Sequence, residues 1–203
     1  MTQKIPFNPL PEKVLLAIAK RFRGTGATIL HMFPGIETDL RHGEIDIEKE
    51  TYAAAMFILP VFYFFFIGIL AYIFATRLAP QYLYTAPLGL GALFAALIFI
   101  QLLFYPKIIV KKKVRGLERN LVFALRTILV EIKSGVTLFD AINIVAQGDN
   151  GEVSREFKKT VEKIETGYFQ EQAIEEMGEN NPSLYFKRAI WQLVNGLKAG
   201  SDI

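Results

Sequence analysis

Apolar residues dominate two long stretches near the middle of the chain, residues 52–76 and 82–105, and neither contains Asp, Glu, Lys or Arg. A helix needs about 20 mainly apolar residues to cross a hydrocarbon core roughly 30 Å thick, and each stretch is longer than that. Only residues 77–81 separate them, which leaves room for a tight turn. The pattern therefore predicts two transmembrane helices in an antiparallel hairpin, with both long arms on one side of the membrane.

Basic residues follow the second apolar stretch directly and predict which side that is. Lys and Arg beside transmembrane helices are retained on the cytoplasmic side. The turn carries one basic residue, Arg77, whereas the cluster after the second stretch consists of Lys107, Lys111, Lys112, Lys113 and Arg115. We therefore predict a multi-pass protein of the cytoplasmic (inner) membrane with both termini in the cytoplasm. The five clustered side chains are candidates for contacts with lipid head groups.

Residues 1–51 form a predicted cytoplasmic arm. Within residues 11–23, apolar positions recur at helical spacing, and basic residues gather at the C-terminal end, which predicts a short amphipathic helix. Gly24 and Gly26 predict its end, and residues 24–27 are expected to be a loop. This helix can lie on anionic lipid or pack on the cytoplasmic domain, and we favour packing. The acidic segment 34–50 is predicted to be turn-rich before a short helix leads into the membrane.

The helical period continues almost throughout residues 116–203. Apolar positions recur at steps of three and four residues, and no stretch alternates as a strand does. The sequence therefore predicts an all-α protein. Its transmembrane hairpin (52–105) and a basic juxtamembrane linker (106–115) precede a cytoplasmic antiparallel helical bundle (116–203).

An internal echo supports the bundle, because residues 132–142 align without gaps on residues 164–174. Each copy predicts a helix, a glycine turn and a second helix, and a third copy begins near residue 193. In the first copy a threonine and an aspartate are spaced to cap the second helix. The turn and motif positions are Gly135, Thr137, Asp140, Ala141, Gly167, Ala173, Gly196 and Gly200.

Several kinds of chemistry have no support in the sequence. The chain has no cysteine and two histidines that lack metal-ligand spacing, and its net charge of +3 is spread over patches of both signs. It contains no phosphate-binding loop and no catalytic constellation, so we expect no cofactor, no nucleic-acid partner and no enzymatic activity. Carboxylates between residues 162 and 179 predict a solvated acidic face that could also dock a basic partner. They are Glu162, Glu165, Glu171, Glu175, Glu176 and Glu179.

The order of these motifs resembles a known family. The relevant segments are residues 120–125, 131–142, 164–167, 181–183 and 193–200, which follow a transmembrane hairpin. Together they are similar to the cytoplasmic domain of the type II secretion system F family, the membrane platforms of secretion machines, type IV pili and archaella. Thr38 to Arg41, with Tyr52 leading into a span, resembles the archaeal branch of that family.

The resemblance implies a scaffold that gathers a cytoplasmic secretion ATPase and couples it to the assembly of pilin-like subunits. Family members usually carry a second membrane segment, so it also implies an N-terminal half that forms a homo-oligomer or pairs with a second membrane half. The alternative is a signalling receptor or a transporter subunit with a cytoplasmic helical domain. Against a transporter, neither apolar stretch holds an ionisable residue. Against a receptor, the turn at residues 77–81 leaves no room for an external ligand-binding domain.

Overall fold

The computed structural model describes residues 9, 11–78 and 80–198. Within these residues the chain is helical, without strands, which confirms the predicted all-α class. The helices are α1 (Glu12–Arg21), α2 (Arg23–Met32), α3 (Gly35–His42), α4 (Lys49–Leu78), α5 (Thr85–Lys133), α6 (Leu138–Gln147), α7 (Glu152–Glu165), α8 (Gln170–Glu179) and α9 (Leu184–Lys198), with a 3₁₀ turn at Pro80–Tyr82. The chain divides into two compact units, Met1–Ile109 and Val110–Ile203.

The two longest helices, α4 and α5, contain the two apolar stretches. Both are long and apolar enough to cross a membrane, and only 11% and 17% of their most apolar segments are buried. The core helix of a soluble protein would be mostly buried. Close contacts set an antiparallel register between them: a Cβ added to Gly91 would lie 2.8 Å from the Phe64 carbonyl oxygen, and one added to Gly68 would lie 3.6 Å from that of Pro87. Glycine at position 91 therefore allows the close approach of the two backbones.

Helix α5 continues far beyond the second apolar stretch. It has 49 residues, contains Pro106 and runs without interruption through residues 106–115, the segment predicted as a linker. The division between the two compact units, after Ile109, falls inside this helix. The domain boundaries inferred from the sequence remain predictions.

The N-terminal arm is more helical than its sequence suggests. Helix α2 runs through both Gly24 and Gly26, so the predicted loop at residues 24–27 is wrong. The reason is tertiary packing, because the Gly26 backbone lies close to the backbone of α4. A Cβ added to Gly26 would clash with the Glu50 carbonyl oxygen and would lie 3.1 Å from the Ala54 amide nitrogen. Residues 35–42, predicted as turns, form α3. Helix α1 packs on α4, the first apolar helix, whereas the sequence favoured packing on the cytoplasmic domain.

The second unit is a bundle in which α6 packs on α7, α7 on α8 and α8 on α9. Its core side chains come from the C-terminal part of α5 and from all four later helices. They are Leu117, Leu121, Ala124, Ile128, Ala141, Ile142, Val145, Ala146, Val153, Phe157, Val161, Ile174, Met177, Phe186, Ile190, Leu193 and Val194. One predicted turn is wrong: Gly196 does not end a helix, because α9 continues through it to Lys198. Gly200 lies outside the described residues.

Candidate functional site

Two glycine turns lie at the same end of the bundle, because the helices that they terminate, α5 and α7, are separated by the returning helix α6. Gly135 has φ of 87° and Gly167 has φ of 101°, a region that favours glycine. After the first turn, the Thr137 hydroxyl oxygen accepts a hydrogen bond from the Asp140 amide at 3.2 Å and caps α6. Phe169 precedes α8 without an equivalent side-chain bond, so the two turns share the glycine but not the cap.

These turns define a surface that we name the turn end, residues 134–137 and 166–169. Two exposed aromatic side chains, Tyr168 and Phe169, stand out there, and Phe169 is 76% exposed. The Lys163 ammonium lies 4.5 Å from the centre of the Tyr168 ring and pairs with Glu176 across α7 and α8. The motif alanines Ala141, in α6, and Ala173, in α8, are instead buried, and they serve packing.

The predicted acidic face lies beside the turn end, on the C-terminal part of α7 and along α8. Five of its carboxylate residues are exposed and one is half-buried: Glu162, Glu165, Glu171, Glu176 and Glu179, with Glu175 the half-buried one. Sequence reasoning found these acids but missed the aromatic pair. The available signal was that both aromatics directly follow Gly167, in a turn where the helical period offers them no buried position.

The opposite end of the bundle, residues 148–151 and 180–183, is connected to α5 by hydrogen bonds. The Asn120 side-chain amide donates to the Asn150 carbonyl at 2.9 Å, and the Ser183 hydroxyl donates to the Glu118 carboxylate at 2.9 Å. The Ser183 hydroxyl also accepts from the Phe186 amide, which caps α9. These contacts join α5 to two connections and have a structural role.

The basic cluster after the second apolar stretch is only partly available to lipid. Four of its members, Lys107, Lys111, Lys112 and Arg115, are exposed along α5. Lys113 corrects the prediction, because its side chain is only 11% exposed and its ammonium lies 2.9 Å from the carboxylate of Glu156, which is 12% exposed. It therefore joins α5 to α7 instead of facing head groups.

No group of three or more potential metal-ligating side chains occurs within the part of the chain that the structure describes. The turn end and the acidic face beside it are exposed surfaces of the bundle. Exposed aromatic side chains of this kind are suited to contact with another macromolecule.

Comparison with known proteins finds a similarity in the bundle. Residues 124–203 match the family model described as Type II secretion system (T2SS), protein F. No curated protein and no solved structure matches the chain. Proteins of this family are structural platforms of secretion systems rather than enzymes. The match begins within α5 and includes both glycine turns, so residues 124–203 are similar to the type II secretion system F family.

Proposed function

We propose that this chain is a platform protein of a type II secretion, type IV pilus or archaellum machine. It holds a cytoplasmic secretion ATPase beneath the membrane and couples it to the assembly of pilin-like subunits. The observation that carries the proposal is the order of the elements, since the segment that matches the secretion-system F model begins late in the second of two helices able to span a bilayer. In this proposal both termini are cytoplasmic, and the platform acts as a homo-oligomer or with a second membrane half.

The turn end is the surface that we assign to the ATPase. Val110, where the bundle unit begins, lies just beyond the second apolar stretch. From Val110 to Lys133 helix α5 rises roughly 35 Å, at about 1.5 Å per residue. The turn end lies at the end of this segment that is farther from Val110.

The chemistry of the turn end indicates the kind of surface that fits it. Exposed aromatic side chains are frequent anchors of protein interfaces, because they bury a large area with few rotatable bonds. The neighbouring carboxylates supply negative charges that can attract and orient a basic partner. We therefore expect the ATPase to present an apolar pocket for Phe169, surrounded by Lys or Arg side chains.

Replacing Phe169 with alanine tests this assignment. The full chain, reconstituted in lipid nanodiscs, is titrated with its cognate ATPase. We expect Phe169→Ala to weaken binding about tenfold or more, because loss of a buried aromatic anchor costs roughly 2 kcal/mol. Leu184→Ala is the matched control, since Leu184 is also apolar and 59% exposed but lies at the opposite end of the bundle. Equal affinities for the two variants would contradict the assignment of the turn end.

A further inference from the structure

The first part of α4 is enclosed by the N-terminal arm. Residues 51–56 are all buried, which requires neighbours on every face of the helix. Helices α1 and α2 both pack on α4, and α5 contributes through the Tyr52 hydroxyl, which donates to the Leu102 carbonyl at 2.8 Å. On α1, Leu15 and Ala19 are fully buried. Helices α1 and α2 therefore cover the first turns of α4, and we name these two helices the coat.

The register of α4 and α5 gives the depth of this coat relative to the apolar surface. Contacts pair Gly68 with Pro87 and Phe64 with Gly91, and continuing the same antiparallel register pairs Lys107 with Glu48. Exposed charge on α5 begins at Lys107, after the uncharged stretch 82–105. The corresponding boundary on α4 therefore falls at its first residues, and the coated segment 51–56 lies on the apolar side of it.

Charged groups at the start of α4 agree with this boundary. The Lys49 ammonium lies 2.8 Å from the Glu37 carboxylate of α3, and both side chains are about half exposed. An exposed ion pair belongs in water or among head groups rather than in hydrocarbon. The Glu37 end of this pair thus places α3 in water or among the head groups. Helix α2 crosses α4 at Gly26, which lies close to Ala54, a residue on the apolar side of this boundary.

The exposed face of α1 is apolar where it would be polar on a protein surrounded by water. Val14, Ile18 and Phe22 form one exposed stripe along α1, with exposed fractions of 43%, 37% and 46%. Lys20 and Arg21 are exposed beside the stripe. The sequence from residue 13 to residue 36 contains no Asp or Glu. This combination of an apolar face with basic flanks and no acid is typical of helices that lie in a membrane interface.

We infer that α1 and α2, which both pack on α4, are embedded in the cytoplasmic leaflet of the bilayer, in contact with lipid through Val14, Ile18 and Phe22. Lys20 and Arg21 reach the anionic head groups, and the lipid surface is continuous with the one that covers α4 and α5. The inference rests on the proposed membrane topology. It gives the arm a membrane contact of its own beyond the two spanning helices.

The absence of native cysteine allows a direct test by depth-dependent quenching. Single cysteines are introduced by Ile18→Cys, by Ile69→Cys in the middle of α4 and by Lys158→Cys on the exposed side of α7. Each is labelled with the fluorophore NBD, and the full chain is reconstituted in vesicles of phosphatidylcholine and phosphatidylglycerol. Quenching is then measured with aqueous iodide and with lipids that carry a doxyl group near the head group or deep in the acyl chain.

For Ile18 we expect strong quenching by the shallow doxyl lipid and about tenfold less quenching by iodide than for Lys158. Iodide quenching at Ile18 equal to that at Lys158 would overturn the inference and leave the proposed topology intact. Protection from both iodide and doxyl lipid would also overturn it, because protein rather than lipid would then cover the stripe. If iodide also quenches the label at Ile69 as strongly as the label at Lys158, the result would contradict both the proposed spanning helices and the embedded arm.

Discussion

Replacing Gly26 with alanine is expected to detach α1 and α2 from α4. A Cβ at this position would clash with the Glu50 carbonyl oxygen and press on the Ala54 amide, both of which are backbone atoms that cannot rotate away. Overpacking of this kind costs about 2 kcal/mol, which corresponds to a roughly 30-fold larger population of the open arm. Trypsin cleavage after the exposed Lys20 and Arg21 follows that population when opening is fast relative to cleavage.

The control lies two residues away in the same helix. A Cβ added to Gly24 would meet no atom within 4 Å, so Gly24→Ala should stabilise α2 by roughly 0.5–1 kcal/mol through helix propensity alone. We therefore expect the cleavage rate to rise in Gly26→Ala and to stay equal or fall in Gly24→Ala. Similar rates in the two variants would mean that α2 does not pack closely on α4.

The second large effect is expected at the ion pair between Lys113 and Glu156. Both side chains are nearly buried, at 11% and 12% exposure, and their charged atoms are 2.9 Å apart. Glu156→Ala leaves the buried ammonium without this carboxylate, a change that typically costs about 3 kcal/mol. Trp191 is the only tryptophan and lies in α9, so denaturant unfolding of the detergent-solubilised chain, followed by its fluorescence, reports the stability of the bundle.

Two further variants separate the charge effect from a general loss of packing. The double variant Lys113→Met with Glu156→Leu should recover most of the lost stability, because apolar residues of similar size can replace a buried ion pair. Arg155→Ala removes the exposed pair with Glu152 on the same helix and should change the stability by less than about 0.5 kcal/mol. A double variant as unstable as Glu156→Ala would contradict this explanation.

The helical period predicted the bundle well because its helices are short, amphipathic and punctuated by glycines with positive φ. The same rule failed at Gly26 and Gly196, where the helix continues. At Gly26 the cost of glycine in a helix is offset by the close approach of α4, a tertiary contact that no local pattern reveals. The charge of residues 106–115 favours a linker, whereas α5 continues through them, since Lys and Arg are good helix formers.

The candidate surface could be predicted only in part. Carboxylate residues beside the turn end follow directly from the sequence, since a charged side chain is seldom buried without a partner. Lys113 is a charged side chain that is nearly buried, and its partner is Glu156. Glu156 lies 43 positions away in the sequence and is brought near by the packing of α7 on the bundle. The exposure of Phe169 was likewise hidden, because an aromatic residue in sequence alone is more often part of a core.

The central claim, that this chain gathers a secretion ATPase at the membrane, is tested most directly by crosslinking a tagged full-length copy in native membranes. Affinity purification and mass spectrometry then identify the proteins that accompany it. The account predicts recovery of a secretion ATPase together with pilin-like subunits, and loss of the ATPase but not of the pilin-like subunits in Phe169→Ala. Recovery of a sensor kinase, of a solute-binding protein or of this chain alone would contradict it.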